Sequence, residues 1–207
     1  MNAWHALAGR LALPSSITER EAATLASCYG EPHRAYHTLT HINACTEDWE
    51  RFRRAFEEPD TALLAILYHD LIYDPASAEN EAQSAQMLRD NLGSSLGARL
   101  IEKAAAIILA TKAHRATGDH DTDLVIDIDM AILGTEAHVY DAYAEGIRME
   151  YEPVFGIEAL RAGRLSMFIE PTLASDRIFL TDEMRPKEEQ ARNNLHRERA
   201  SWLSVSD

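Results

Sequence analysis

The run Ala62-Leu63-Leu64-Ala65-Ile66-Leu67-Tyr68 and the His69-Asp70 pair that ends it constrain this 207-residue chain more than any other feature. A helical segment that is apolar nearly all round belongs at the centre of a fold. An imidazole and a carboxylate delivered there lose their hydration and need a partner. The usual inorganic partner for such a donor set is a divalent cation. A second pair, His120-Asp121, lies in the polar string Thr117-Gly118-Asp119-His120-Asp121-Thr122, where solvent can satisfy every group. That copy reads as a loop.

Helical periodicity dominates the rest of the chain, and no hairpin dipeptide separates alternating runs. The pattern predicts an all-α, compact, single-domain bundle of about nine to eleven helices spanning residues 1–207. Ala3 to Leu13 forms a first helix stopped by Pro14, and Ser16 with Glu19 makes a capping box for a second that ends at Gly30. His37 to Phe56 is a third, with Ile42, Cys45, Trp49, Phe52 and Phe56 as its buried stripe. Pro59-Asp60 starts the fourth, Thr61 to Tyr73, which Asp74-Pro75 ends. Asn80 caps a helix through Asn91, and Ser95 opens one through His114. Thr122 to Leu133 is short and stops at Gly134. Thr135 to Tyr151, Ile157 to Ile169 and a final helix from near Pro186 complete the chain.

Length and charge bound the function. A chain of this size buries about 70% of its unfolded surface without staples. Cys28 and Cys45 fit neither a disulfide framework nor a zinc ribbon, so they read as core thiols in a reducing compartment. Lys plus Arg number 20 against 34 Asp plus Glu, a net charge of −14. Long nucleic acid and anionic membranes are therefore disfavoured as partners, whereas a bound cation can still admit a small anion to a cleft. No apolar run approaches the roughly 20 residues of a membrane span, and the N-terminus lacks a leader pattern. A cytoplasmic protein is expected, with self-association left open.

Residues three and four apart share a helix face, which identifies the polar groups that turn inward. Asp129 has Val125, Ile126, Ile132 and Leu133 around it, whereas Asp127 shares its face with Asp123, Leu124, Met130 and Ala131. Asp129 is thus expected inward and Asp127 is not. His114 lies on the stripe of Ala104, Ile107, Ile108 and Thr111, and Glu81 on that of Ser84, Ala85 and Leu88. Both look inward. His37 and His41 sit four apart beside Ala44 and Cys45, and either can be a ligand. His41, His69 with Asp70, and Asp129 then offer a mixed nitrogen and oxygen set from three helices. Such a set with open positions suits a catalytic metal better than a closed structural zinc.

This pattern on an all-α scaffold resembles the HD-domain superfamily of metal-dependent phosphohydrolases. Tyr29–Ile42, Tyr68–Asp74, Asn80-Glu81, Thr111–His114, Asp127–Gly134, Ile147–Tyr151 and Ala191–Leu195 look like the signature blocks of one bacterial branch, the HD phosphohydrolases. The resemblance implies that His41, His69, Asp70 and Asp129 bind a first metal. It nominates His114 for a second ion, with His37 or His120 as the remaining imidazoles. The cation is Mn, Fe, Ni, Co, Zn or Mg, one ion with a second held open.

The implied reaction is hydrolysis of a phosphomonoester or phosphodiester in a small metabolite or nucleotide by water acidified at the cation. Asp70 or Glu81 handles the proton, and Arg34, Lys112 or Arg148 neutralises the phosphate. Two rivals remain at this stage: a di-iron oxygenase of HD-like fold, and a non-catalytic ligand-binding protein that keeps the metal as a folding staple.

Overall fold

Eight consecutive buried residues, Thr61 to Tyr68, fix the centre of the N-terminal part of the molecule. A computed structural model describes residues 2–204, and all its regular structure is helical among them. The chain divides into two compact units, Met1–Asp129 and Met130–Asp207.

The first unit contains α1 (Asn2–Arg10), α2 (Ser15–Cys28), α3 (Leu39–Phe52), α4 (Pro59–Tyr68), α5 (Asn80–Leu92), α6 (Ala98–Thr111) and α7 (His120–Asp129). Pro59 pre-sets φ at the first turn of α4 without wasting a donor. The helix then packs against α1, α3, α5, α6 and α7. Leu63, Leu64, Ile66 and Leu67 are each at most 4% exposed. Burying each such side chain is worth about 1.5–3 kcal/mol, which is why this segment and not a more polar one takes the middle.

Several helix ends differ from the sequence-based expectation, each for a local reason. Pro14 is the N-cap of α2, its carbonyl accepting the Ile17 and Thr18 amides at 3.0 Å each, so Ser16 falls inside the first turn and the Ser16/Glu19 capping box does not form. Helix α3 begins only after Thr38, whose hydroxyl accepts the Thr40 amide, which leaves His37 in the preceding loop. Helix α4 stops at Tyr68 and α6 at Thr111, so His69-Asp70 and His114 stand just beyond helix ends. Cys45 is buried as expected, while Cys28 is only partly covered.

The largest departure is at His120-Asp121. These residues open α7 instead of lying in a loop, and Asp121 is 2% exposed. Its two carboxylate oxygens accept the Glu57 and Glu58 amides at 2.8 Å each, immediately before α4. The two amides before the helix have no partner within it, and Asp121 supplies their acceptors.

The second unit runs through a 3₁₀ turn (Met130–Gly134), α8 (Ala137–Phe155), α9 (Ile157–Gly163), a π-helical turn (Arg164–Ile169), α10 (Glu170–Ala174) and α11 (Glu188–Ser204). Gly134 admits the backbone of Lys187, whose carbonyl would lie 2.8 Å from any Cβ placed there. Gly156, at φ 78°, makes the left-handed link from α8 to α9. Asn194 of α11, fully buried, donates to the carbonyls of Leu133 and Thr135 at 2.8 Å each. Arg164 and Glu198 form a buried ion pair, 2.9 Å between Nε and Oε1. No described helix is long and apolar enough to cross a membrane.

Candidate metal centre

The first unit brings four ligand atoms to one point. His41 enters from the first turn of α3, whose stripe of Ile42, Cys45 and Trp49 is buried. His69 is the C-cap of α4 and Asp70 the next residue, so the central helix delivers both. Asp129 is the last residue of α7. His41 Nε2 lies 3.2 Å from His69 Nε2, 3.2 Å from Asp129 Oδ1 and 3.6 Å from Asp70 Oδ2. His69 Nε2 lies 3.0 Å from Asp70 Oδ2 and 3.4 Å from Asp129 Oδ1. Among the described residues this is the only cluster of three or more such side chains whose ligand atoms gather within 4.8 Å of one another.

These distances suit a cation. Bonds of about 2.0–2.2 Å to nitrogen and oxygen, in tetrahedral or octahedral arrangement, separate neighbouring ligand atoms by about 2.8–3.6 Å. The imidazoles are also set to ligate. His69 Nδ1 lies 2.8 Å from the Ile66 carbonyl, which can only accept, so Nδ1 carries the proton and the Nε2 lone pair faces the cluster. His41 Nδ1 lies 3.0 Å from the Tyr36 hydroxyl, which can hold the same tautomer. Two Nε2 lone pairs and two carboxylate oxygens then confront one another, an arrangement that demands positive charge at its centre.

Without a cation, a proton on His69 answers that demand. Burial pulls the His69 imidazole down, but the carboxylates of Asp70 and Asp129 outweigh it and hold the ring well above its ordinary value. Burial raises both carboxyls, yet His69, the strongest of the opposing groups, leaves Asp70 and Asp129 below the usual carboxylate range. Cys45 Sγ lies 3.7 Å from both ring nitrogens of His41, but burial pushes its thiol well up, so it stands beside the site as an apolar neighbour and not as a thiolate.

No family model matches this chain, nor does any curated protein or solved structure.

The other residues predicted for the site are placed as follows. Arg34 does not face solvent. Its side chain is 0% exposed and packed between Tyr29 and Tyr73. Nη1 donates to the carbonyls of His37 and Asp70, Nη2 to that of Leu71, and Nε to Glu31. These bonds occupy the guanidinium expected at phosphate, and through them Arg34 ties the loop before α3 to the Asp70-Leu71 turn.

His114 is not on the inward face of α6. It follows the helix at φ 45° with its side chain 36% exposed, and it meets the cluster only through Asp129 Oδ2, 3.3 Å from Nε2. Glu81 is half-buried and pairs with Lys112 at 3.6 Å, while Lys112 Nζ also donates to the Ala78 carbonyl. Neither belongs to the four-ligand group. Arg148 is in the second unit, bridging Glu145 and Glu152 on its own helix. His37 stacks on Tyr73 with ring centroids 4.2 Å apart. His120 is exposed.

Asp127 overturns the face argument at α7. It is 0% exposed, more buried than Asp129, because Leu124 to Ile128 are all buried and the helix has no wet face there. Tyr36 and the Ile66 carbonyl were missed as groups that orient the histidines. Tyr36 carried a weak signal, a hydroxyl five residues before His41. A backbone carbonyl carries none.

Proposed function

We propose that this protein is a metal-dependent hydrolase of the HD-domain type, acting on a phosphomonoester or phosphodiester of a small metabolite or nucleotide. The observation that carries the reading is the convergence of His41 Nε2, His69 Nε2, Asp70 Oδ2 and Asp129 Oδ1 from three helices. These four residues would hold one divalent ion. When bound, such an ion lowers the pKa of a coordinated water and polarises a phosphoryl oxygen.

Solvent access favours catalysis over a folding staple. The side chains of His41 and His69 are 2% and 3% exposed, but those of Asp70 and Asp129 are each 18% exposed. The site is therefore open along its carboxylate edge, where a closed structural centre would be sealed. Asp70 is the residue we assign to accept a proton from an attacking water, since its side chain joins the ligand group and is also partly exposed. Of the cationic side chains expected at phosphate, Lys112 is the half-exposed one in the first unit, and we assign it charge neutralisation there on that exposure. A single four-ligand group among the described residues supports hydrolysis over a di-iron reaction.

The test is metal analysis of the purified protein followed by a panel of nitrophenyl phosphate, bis-nitrophenyl phosphate and nucleotides, with Asp70→Ala as control. The expected result is one ion per chain and a phosphate-releasing activity that Asp70→Ala lowers by about 10²-fold or more. Activity that survives the substitution removes Asp70 from the mechanism. Protein without metal, or loaded protein inert across the panel, overturns the proposal.

A further inference from the structure

Asp129 divides its two oxygens between different partners. Oδ1 lies 3.2 Å from His41 Nε2 and 3.4 Å from His69 Nε2, inside the ligand group. Oδ2 lies 3.3 Å from His114 Nε2, outside that group. His114 reaches this position from a left-handed backbone conformation, φ 45°, that an L side chain rarely adopts.

We infer that His114 is a positioning residue for Asp129, donating from Nε2–H to Oδ2 so that the carboxylate presents Oδ1 alone to the metal, and that it is not itself a ligand of a second ion. The inference rests on the metal-centre reading above. The donor set supports it: beyond Asp129, the cluster offers no carboxylate or imidazole atom that joins His114 in a second group among the described residues. A donor on Oδ2 prevents the carboxylate from turning edge-on to the cation, which is how an outer hydrogen bond tunes a ligand. Partial exposure of the ring at 36% places it at the rim, so exchanging it leaves the core untouched.

The experiment titrates Mn²⁺ chloride into metal-stripped full-length protein, following stoichiometry and Kd by calorimetry, for the wild type, His114→Gly, His114→Gln and His69→Ala. The wild type should bind one Mn²⁺ per chain. His114→Gly should also bind one, with Kd raised about 10–100-fold. Its metal-free melting temperature should not fall, because glycine accepts the left-handed φ. His114→Gln keeps an amide donor of similar reach and should recover most of the affinity, which a merely structural role for the residue would not produce.

Two ions in the wild type falling to one in His114→Gly would overturn the inference. So would an unchanged Kd in His114→Gly, or a His114→Gln variant no better than the glycine. A wild type that binds no Mn²⁺ and behaves like His69→Ala would instead sink the metal centre on which the inference depends.

Discussion

A carboxylate serves a metal through the oxygen it is held to present, and burial alone does not select which carboxylate that is. Asp127 is more buried than Asp129 on the same helix, yet it is Asp129 that reaches the imidazoles of His41 and His69. Asp129→Asn should therefore abolish or strongly lower metal content, measured by elemental analysis. Asp127→Asn should retain one ion per chain while lowering the melting temperature. Equal metal loss in both would show that α7 presents a different face to the site.

His69 and Asp70 were legible at the end of an apolar run, whereas spacing left His37 and His41 both open and misjudged Asp127 beside Asp129, so the full set of four came from the family resemblance. The role of Arg34 was not legible, since its partners are carbonyls of His37, Asp70 and Leu71 that only the folded chain assembles. Its pairing with Glu31, three residues away, is the part of that role a local reading could reach.

At the level of elements, helix interiors were readable and helix ends were not, because ends are decided by partners from elsewhere in the chain. The start of α4 shows this. Its preceding amides at Glu57 and Glu58 are accepted by Asp121 of α7, a residue whose polar surroundings in sequence suggested a solvated loop. Asp121→Ala leaves two amides without an acceptor and should cost about 2–4 kcal/mol in urea unfolding, with metal content unchanged.

The second unit has a comparable joint where α11 meets the π-helical turn. Burial by itself would raise Glu198, but hydrogen bonding to Arg164 leads the groups that outweigh it, joined by Tyr140 and Trp202, and its carboxyl is held below the ordinary 4.5. A carboxyl depressed in the folded state contributes stability that is present above its unfolded value and lost as pH falls through its folded value. Thermal stability should thus decline as the medium is taken below about pH 4.5, and Glu198→Gln should flatten part of that decline. At neutral pH, Arg164→Met leaves the buried Glu198 carboxylate without its cation, held only by Tyr140 and Trp202, and should cost about 3–5 kcal/mol.

Across the whole molecule, an all-helical architecture follows from the 3.6-residue spacing of apolar side chains, and the net charge of −14 sets the chemistry a site on it must overcome. A small phosphate ester approaching so acidic a protein needs a local cation, and the one place where the described residues gather ligands for it is the group formed by His41, His69, Asp70 and Asp129. The most direct measurement is an anomalous-difference map from crystals of the protein grown with Mn²⁺ and recorded near the manganese edge. The account predicts a single strong peak bonded to His41 Nε2, His69 Nε2, Asp70 Oδ2 and Asp129 Oδ1 at about 2.0–2.3 Å, with His114 on Asp129 Oδ2 and not on the ion. A map with no peak among those four atoms, or with its peak at other residues, would contradict it.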